Sequence, residues 1–244
     1  MATPREIVVH GRTFERFSRV EIHPRVASLL ALHPRGKVLD FPAGSGALSW
    51  RLHGEGFEVI AADARVDSFA NPEIRIVEAD LNQRFPFEDA SFDAACFLEG
   101  PEHVENVFHC FREFRRVIKP GGVLIISLPN YSNIESRLKS LVFGASEPVL
   151  SVPEHGKFAS FPGALHINRL TYAAMATALE LAGFRVTGVH RDRVKWKQQL
   201  LWPLAWAIML ASGLRSRSRT RYRTSESNQA AVLMGGNTLI ITAA

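Results

Sequence analysis

Residues 38–46, VLDFPAGSG, constrain the fold of this 244-residue chain more than any other stretch. Lys37, Val38 and Leu39 read as a buried strand with an acid, Asp40, at its end. A tight turn of small residues containing Gly44 and Gly46 then leads into a helix at 47–52. Glycines suit a turn where a ligand lies against bare backbone, and the helix start presents unpaired N–H groups to it. Such a turn sits at the carboxyl edge of a parallel sheet and takes a nucleotide-type ligand.

The flanking pattern agrees. Strands are expected at 37–41, 57–62 (ending in Asp63), 74–78 (closed by Asp80), 94–98 and 123–128, with a helix at 20–32 before the first and one at 102–118 between the last two. In the second helix Val104, Val107, Phe108, Phe111, Phe114 and Ile118 recur at helical spacing. Alternation of this kind implies a mostly parallel sheet covered on both faces, an α/β Rossmann-like architecture. After Pro129 the expected order is a helix at 131–143, a Pro/Gly-rich loop at 144–164, a helix at 171–182, and strands at 184–190 and 237–242. Residues 1–19 read as a loosely organised lead-in. The 144–164 loop, at about twenty residues, has the length of a lid or a binding element.

The 46% apolar and 22% charged composition suits one domain spanning 1–244. Its core is expected at about 20–130 and 166–244, with a lid-like insertion near 131–165. No secretory leader is evident in MATPREIVVHGRTFERF, and Cys96 and Cys110 lie in apolar segments without CxxC spacing. Buried thiols in a reducing cytoplasm are therefore expected. The net charge of +5 is concentrated: residues 191–223 hold nine Lys/Arg and one Asp, leaving −3 for the rest. That is no general nucleic-acid signature.

Two cofactor readings compete for the turn. A dinucleotide fingerprint wants a third glycine, which Gly44-Ser45-Gly46-Ala47-Leu48-Ser49 lacks. The ordered set VLDFPAGSGALSWRL, Asp63, VEADL, FDAACFLE and RVIKPGGVLIISLPN instead resembles the class I S-adenosylmethionine-dependent methyltransferases over about residues 36–130. The resemblance implies a seven-stranded, mostly parallel sheet and S-adenosyl-L-methionine as cofactor. It assigns the Gly44–Gly46 backbone to the methionine portion, with Asp40 orienting the loop. Asp63 would accept from both ribose hydroxyls, and Asp80, beside the Leu81 backbone, from the adenine amino group. Leu98 and Glu99 would line the same site. One departure is Pro42, where the family usually has glycine; proline forbids positive φ. For each aspartate a turn or helix-cap role is the alternative.

A second constellation follows strand 94–98: Glu99, Glu102 and His103 in an E-x-x-E-H pattern, with His166 later in LHINRLTY. On one reading Glu102 opens the following helix and Glu99 lines the cofactor site. On another, the pattern resembles that of the small-RNA 2′-O-methyltransferases and the ubiquinone-pathway O-methyltransferases. Glu99, Glu102, His103 and His166 would then bind a divalent metal, Mg²⁺ or, better matched, Mn²⁺, Fe²⁺ or Zn²⁺. Without metal, His166 or His103 would be the general base, or His166 would merely cap the next helix.

PNYSNIESRL followed by LHIN resembles methyltransferases of bacterial glycan and lipopolysaccharide assembly. The expected reaction is methyl transfer to an oxygen of a small-molecule, glycan or lipid-linked acceptor. The rivals are ubiquinone-like phenol methylation, RNA 2′-O-methylation and a non-catalytic binding module. Nucleic acid is not the expected partner. Residues 200–211, LLWPLAWAIMLA, are apolar without interruption and flanked by Lys195, Lys197 and arginines from Arg215 to Arg223. Too short to span a bilayer, the 195–225 excursion suits an anionic membrane surface, with the protein cytoplasmic and peripheral at the inner membrane. A core or dimer-interface helix is the alternative.

Overall fold

The computed structural model describes residues 6–16, 18–147, 166–214 and 221–244. Its centre is a seven-stranded sheet. In chain order the strands are β3 (Lys37–Asp40), β4 (Glu58–Asp63), β5 (Arg75–Glu78), β6 (Phe92–Leu98), β7 (Ile118–Pro129), β8 (Val186–Arg191) and β9 (Thr238–Ala243). The spatial order is β5-β4-β3-β6-β7-β9-β8, with β9 antiparallel to both neighbours and the other pairings parallel. The expected mostly parallel α/β sheet is therefore present.

The chain leaves β3 in one direction, to β4 and β5, and returns to β6 on the other side of β3. Such a reversal opens a crevice at the carboxyl ends of the strands. Asp40, Asp63 and Leu98 end their strands at this edge.

Helices α1 (Ile22–Leu30) and α2 (Ala47–Gly54) cover one face with Val26, Leu30, Leu48 and Leu52. Helix α3 (Val107–Val117) and α5 (Tyr172–Leu181) cover the other. In α3 the buried apolar positions are Val107, Cys110, Phe111, Phe114 and Val117, one stripe of a 3.6-residue helix. Phe108, expected on that stripe, is exposed. A cluster of rings joins helix to sheet: Phe85–Phe114 and Phe97–Phe114 centroids are 5.0 and 4.9 Å apart, and Phe41–Phe85 4.9 Å. Such pairs add about 0.5–1.5 kcal/mol each beyond their buried area. They also fix Phe41, and hence the start of the turn beginning at Pro42. Cys96 and Cys110 are buried and free, and burial pushes the Cys110 thiol up to about 12.

Two expectations are corrected. Residues 6–15 are an antiparallel hairpin, β1 (Glu6–Val9) and β2 (Arg12–Glu15), where a loose lead-in was expected. Its turn residues His10 and Gly11 both have positive φ (44° and 80°), as a two-residue turn matched to strand twist requires. Helix α3 begins at Val107, capped by the Asn106 side chain on the His109 N–H, not at residue 102. Most of the lid-like loop expected near 144–164 lies outside the described residues.

Candidate functional site

The turn after β3 is held from three sides. Its left-handed positions are Gly44 (φ 53°) and Gly46 (φ 86°), not Pro42, whose peptide bond with Phe41 is cis. A Cβ on Gly46 would collide with the Asn71 amide and the Phe69 ring. Asn71 Nδ2 donates to Gly46 O (2.8 Å), and the Ala70 N–H donates to Ser45 O (3.1 Å). From the hairpin side, Ser45 Oγ donates to Glu15 O at 2.7 Å, while Phe14 and Val9 pack on Ala47. Arg12 lies over the Trp50 ring at 3.9 Å and pairs with Glu73.

Asp63 reaches the turn from β4. Its Oδ2 accepts from the Gly44 N–H (2.8 Å) and its Oδ1 from the Arg65 N–H (2.9 Å). A carboxylate has about four lone-pair directions, so capacity remains for two hydroxyls. Helix α2 starts at Ala47 with no side-chain cap, leaving first-turn N–H groups for an anionic ligand. These features fit a nucleoside with an attached amino acid.

Asp40 is buried behind the turn, where its Oδ2 accepts from Ser49 Oγ at 2.6 Å. Burial, opposed by that hydrogen bond and reinforced by the Asp63 charge, raises its carboxyl to about 7. Asp80 is exposed after β5 and accepts from the Asn82 N–H (2.8 Å) through Oδ1, an Asx-type turn; Leu81 O accepts from Cys110 Sγ.

Across the edge, β6 ends in buried Leu98, and Glu99 follows with φ 47°, a left-handed conformation that costs a non-glycine residue on the order of 1 kcal/mol. Ser127 on β7 holds it there: its carbonyl accepts from the Glu99 N–H, and its hydroxyl donates to Glu99 Oε1 (2.8 Å). Burial raises the Glu99 carboxyl. Glu102 is only 1% exposed, and its Oε2 has no hydrogen-bond partner among the described residues. Burial, then the Glu99 charge, raises it well above the usual carboxylate range. Because α3 starts five residues later, Glu102 receives no help from that helix's dipole.

Glu102, His103 and His166 come together, each offering one ligand atom within 4.8 Å of the others. The two imidazole centroids are 5.1 Å apart, edge to face. Glu99, grouped with them on the sequence, directs Oε1 to Ser127 and lies outside this trio. His166 caps no helix: the next one, α5, is capped by Thr171. Instead Tyr131 O–H donates to Glu147 Oε1 (2.9 Å), and His166 Nδ1 sits 3.0 Å from that hydroxyl and 3.4 Å from Glu147 Oε1. These contacts hold the His166 ring through its Nδ1 side. Arg169 Nε also donates to Glu147 (3.1 Å). Ser127, Glu147 and Asn71 escaped sequence reasoning. Ser127 lies within the RVIKPGGVLIISLPN run but in an apolar strand that gives it no role, Glu147 and Asn71 lie outside the quoted motifs, and only the fold brings each to its partner.

The family model described as "Methyltransferase domain" matches residues 39–126, from β3 to β7. A demethylmenaquinone methyltransferase of Beutenbergia cavernae is 31% identical over 137 residues, covering 51% of this chain and 57% of that protein. The sterol 4-C-methyltransferase strm-1 of Caenorhabditis elegans is 30% identical over 116 residues, 43% of this chain and 34% of that one. This chain thus spans about half or less of the length of these relatives. Among solved structures, a SAM-dependent methyltransferase from Archaeoglobus fulgidus superposes with TM-score 0.57 at 19% identity, covering 91% of this chain and 93% of its own. One from Mesorhizobium loti gives TM-score 0.57 at 17% identity, covering 88% and 95%.

Proposed function

We propose that this chain, a member of the class I S-adenosylmethionine-dependent methyltransferases, methylates an oxygen of a small-molecule, sugar or lipid-linked acceptor. One observation carries the reading: the His166 imidazole, held in place by Tyr131, sits with His103 beside the residues that follow β6, the strand paired with the one that leads into the Gly44–Gly46 turn. When bound, S-adenosylmethionine supplies an electrophilic methyl group for in-line displacement. The α2 N-terminus and the turn backbone would hold its methionine portion, and Asp63 its ribose. Asp80 and the Leu81 backbone would take the adenine, while Leu98 and Glu99 line the crevice. His166 Nε2, or His103, would accept the acceptor's hydroxyl proton as the new bond forms. Alignment of donor and acceptor supplies much of the rate.

Glu102, His103 and His166 fit a divalent cation such as Mn²⁺ or Mg²⁺. Two imidazoles and a buried carboxylate, one oxygen of which has no partner among the described residues, form a donor set that positive charge would complete. There a cation would lower the pKa of an acceptor hydroxyl. Activity indifferent to chelation and to added Mn²⁺ would remove the cation from the scheme and leave the imidazoles as base.

The names of the sequence relatives favour a second acceptor chemistry, a ring or enol carbon activated through an adjacent hydroxyl. The same imidazole would serve, since deprotonation delivers charge to carbon as well as oxygen. Transfer of a ¹³C-labelled methyl group to a panel of glycans, lipid-linked saccharides and hydroxylated aromatics tests both. Methoxyl carbon in the product supports the oxygen reading, and a C-methyl signal supports the alternative. No turnover of any panel member, with cofactor bound, would overturn both readings.

A further inference from the structure

Helix α6 (Trp202–Leu214) is apolar on nearly every side, yet described residues cover only one of them. Leu201, Trp202, Ala205, Ile208 and Met209 pack with Ile134, Leu233 and Met234. The opposite side presents Leu204 (42% exposed), Trp206 (63%) and Leu210 (60%). Trp196 and Leu200, in the turn before it, are 75% and 81% exposed. Helix α4 (Ile134–Phe143), which packs beside α6 through Ile134, also ends in exposed Leu141, Val142 and Phe143.

A helix apolar all round is normally sunk in a core or in lipid. Its 13 residues reach about 20 Å at 1.5 Å per residue, short of a hydrocarbon core about 30 Å thick. Among the described residues no helix is long and apolar enough to cross a membrane. Lying in the interface remains, and the charges favour it. Arg191, Arg193, Lys197 and Arg221, which flank the helix along the chain, are exposed, and residues 191–223 carry nine Lys/Arg against one Asp. Lys195 and Arg223 serve the fold instead, paired with Glu135 and with Glu180 and Glu226.

We propose that this face docks on an anionic bilayer surface, with Leu204, Trp206 and Leu210 at the headgroup–acyl boundary and the neighbouring cations on lipid phosphates. It gives the membrane contact expected from the sequence a specific footprint. It stands apart from methyl transfer, because neither histidine nor the glycine turn belongs to it.

Co-sedimentation of the full chain with phosphatidylcholine vesicles, with and without phosphatidylglycerol, tests the footprint. Binding is expected only with phosphatidylglycerol, weakening as salt rises. Trp206→Ser with Leu210→Ser should weaken it at least tenfold. Arg193→Glu with Lys197→Glu should weaken it several-fold. Both variants should keep the parent melting temperature and S-adenosylhomocysteine affinity. Vesicle binding untouched by the Trp206/Leu210 pair would overturn the proposal. So would absence of vesicle binding together with a dimer that this pair dissociates, which would assign the face to a second copy. Vesicle binding without cofactor binding would sink the methyltransferase reading and leave this one standing.

Discussion

The Gly44 N–H donates to Asp63 Oδ2 at 2.8 Å, so the carboxylate ending β4 pins the turn that follows β3. One side chain thereby sets the turn's shape while keeping lone pairs for ribose hydroxyls. Asp63→Asn removes the charge and leaves a single acceptor oxygen for both tasks. Hydrogen bonds to charged groups are worth about 1.5–3 kcal/mol, so affinity for S-adenosylhomocysteine should fall about 10–100-fold in calorimetry. Unchanged affinity would take Asp63 out of the site.

Tyr131 and Glu147 touch His166 rather than any reacting atom, which makes them positioning residues. Tyr131→Phe and Glu147→Gln should each lower kcat about tenfold, and His166→Ala about 10²–10⁴-fold as expected for a general base. S-adenosylhomocysteine affinity should stay at the parent value in all three. A loss of cofactor affinity equal to the loss of kcat would mean that the network only holds the fold together.

Asp40 links stability to pH in a direction opposite to that of most carboxylates. Its folded value, about 7, lies above the ordinary 3.8. Between those values the native state binds more protons than the unfolded chain, so this group's contribution declines as pH rises from about 4 to 7. Asp40→Asn keeps an acceptor for Ser49 and cannot ionise. Its stability relative to the parent should therefore improve by roughly 2–4 kcal/mol between pH 4 and pH 8, at 1.36 kcal/mol per pKa unit. Urea unfolding at the two pH values checks this. A pH-independent difference would contradict it.

Gly46 and Gly121 both have strongly positive φ, 86° and 81°, but only Gly46 has neighbours where a Cβ would go. Gly121→Ala should therefore cost about 1–2 kcal/mol, the backbone part alone. Gly46→Ala should cost more, since Asn71 and Phe69 must also move. Equal losses in thermal unfolding would show that the contacts around Gly46 are slack.

The positions of β3, β4, β6 and β7 are legible because strands buried on both faces read as apolar runs, and β3 and β4 each close on an aspartate, Asp40 and Asp63. The 6–15 hairpin was not legible. His10-Gly11 lacks the usual Asn-Gly signature, and its strands are only four residues long. The start of α3 was misread because residues 102–106 look helical locally but are held otherwise. Asn82 Oδ1 accepts from the Glu105 N–H, and the Asn168 amide donates to Val104 O. The His103–His166 approach was visible as a motif, whereas Glu147, tied to both His166 and Arg169, depends on contacts across 19 and 22 residues that no local pattern encodes.

The Gly44–Gly46 turn, Asp63 and the start of α2 would together form the S-adenosylmethionine site despite Pro42. Titration calorimetry of the full chain with S-adenosylhomocysteine tests it most directly. One-site binding in the micromolar range, about −8 kcal/mol, weakened by Asp63→Asn, is expected. Absence of binding at millimolar ligand would contradict it.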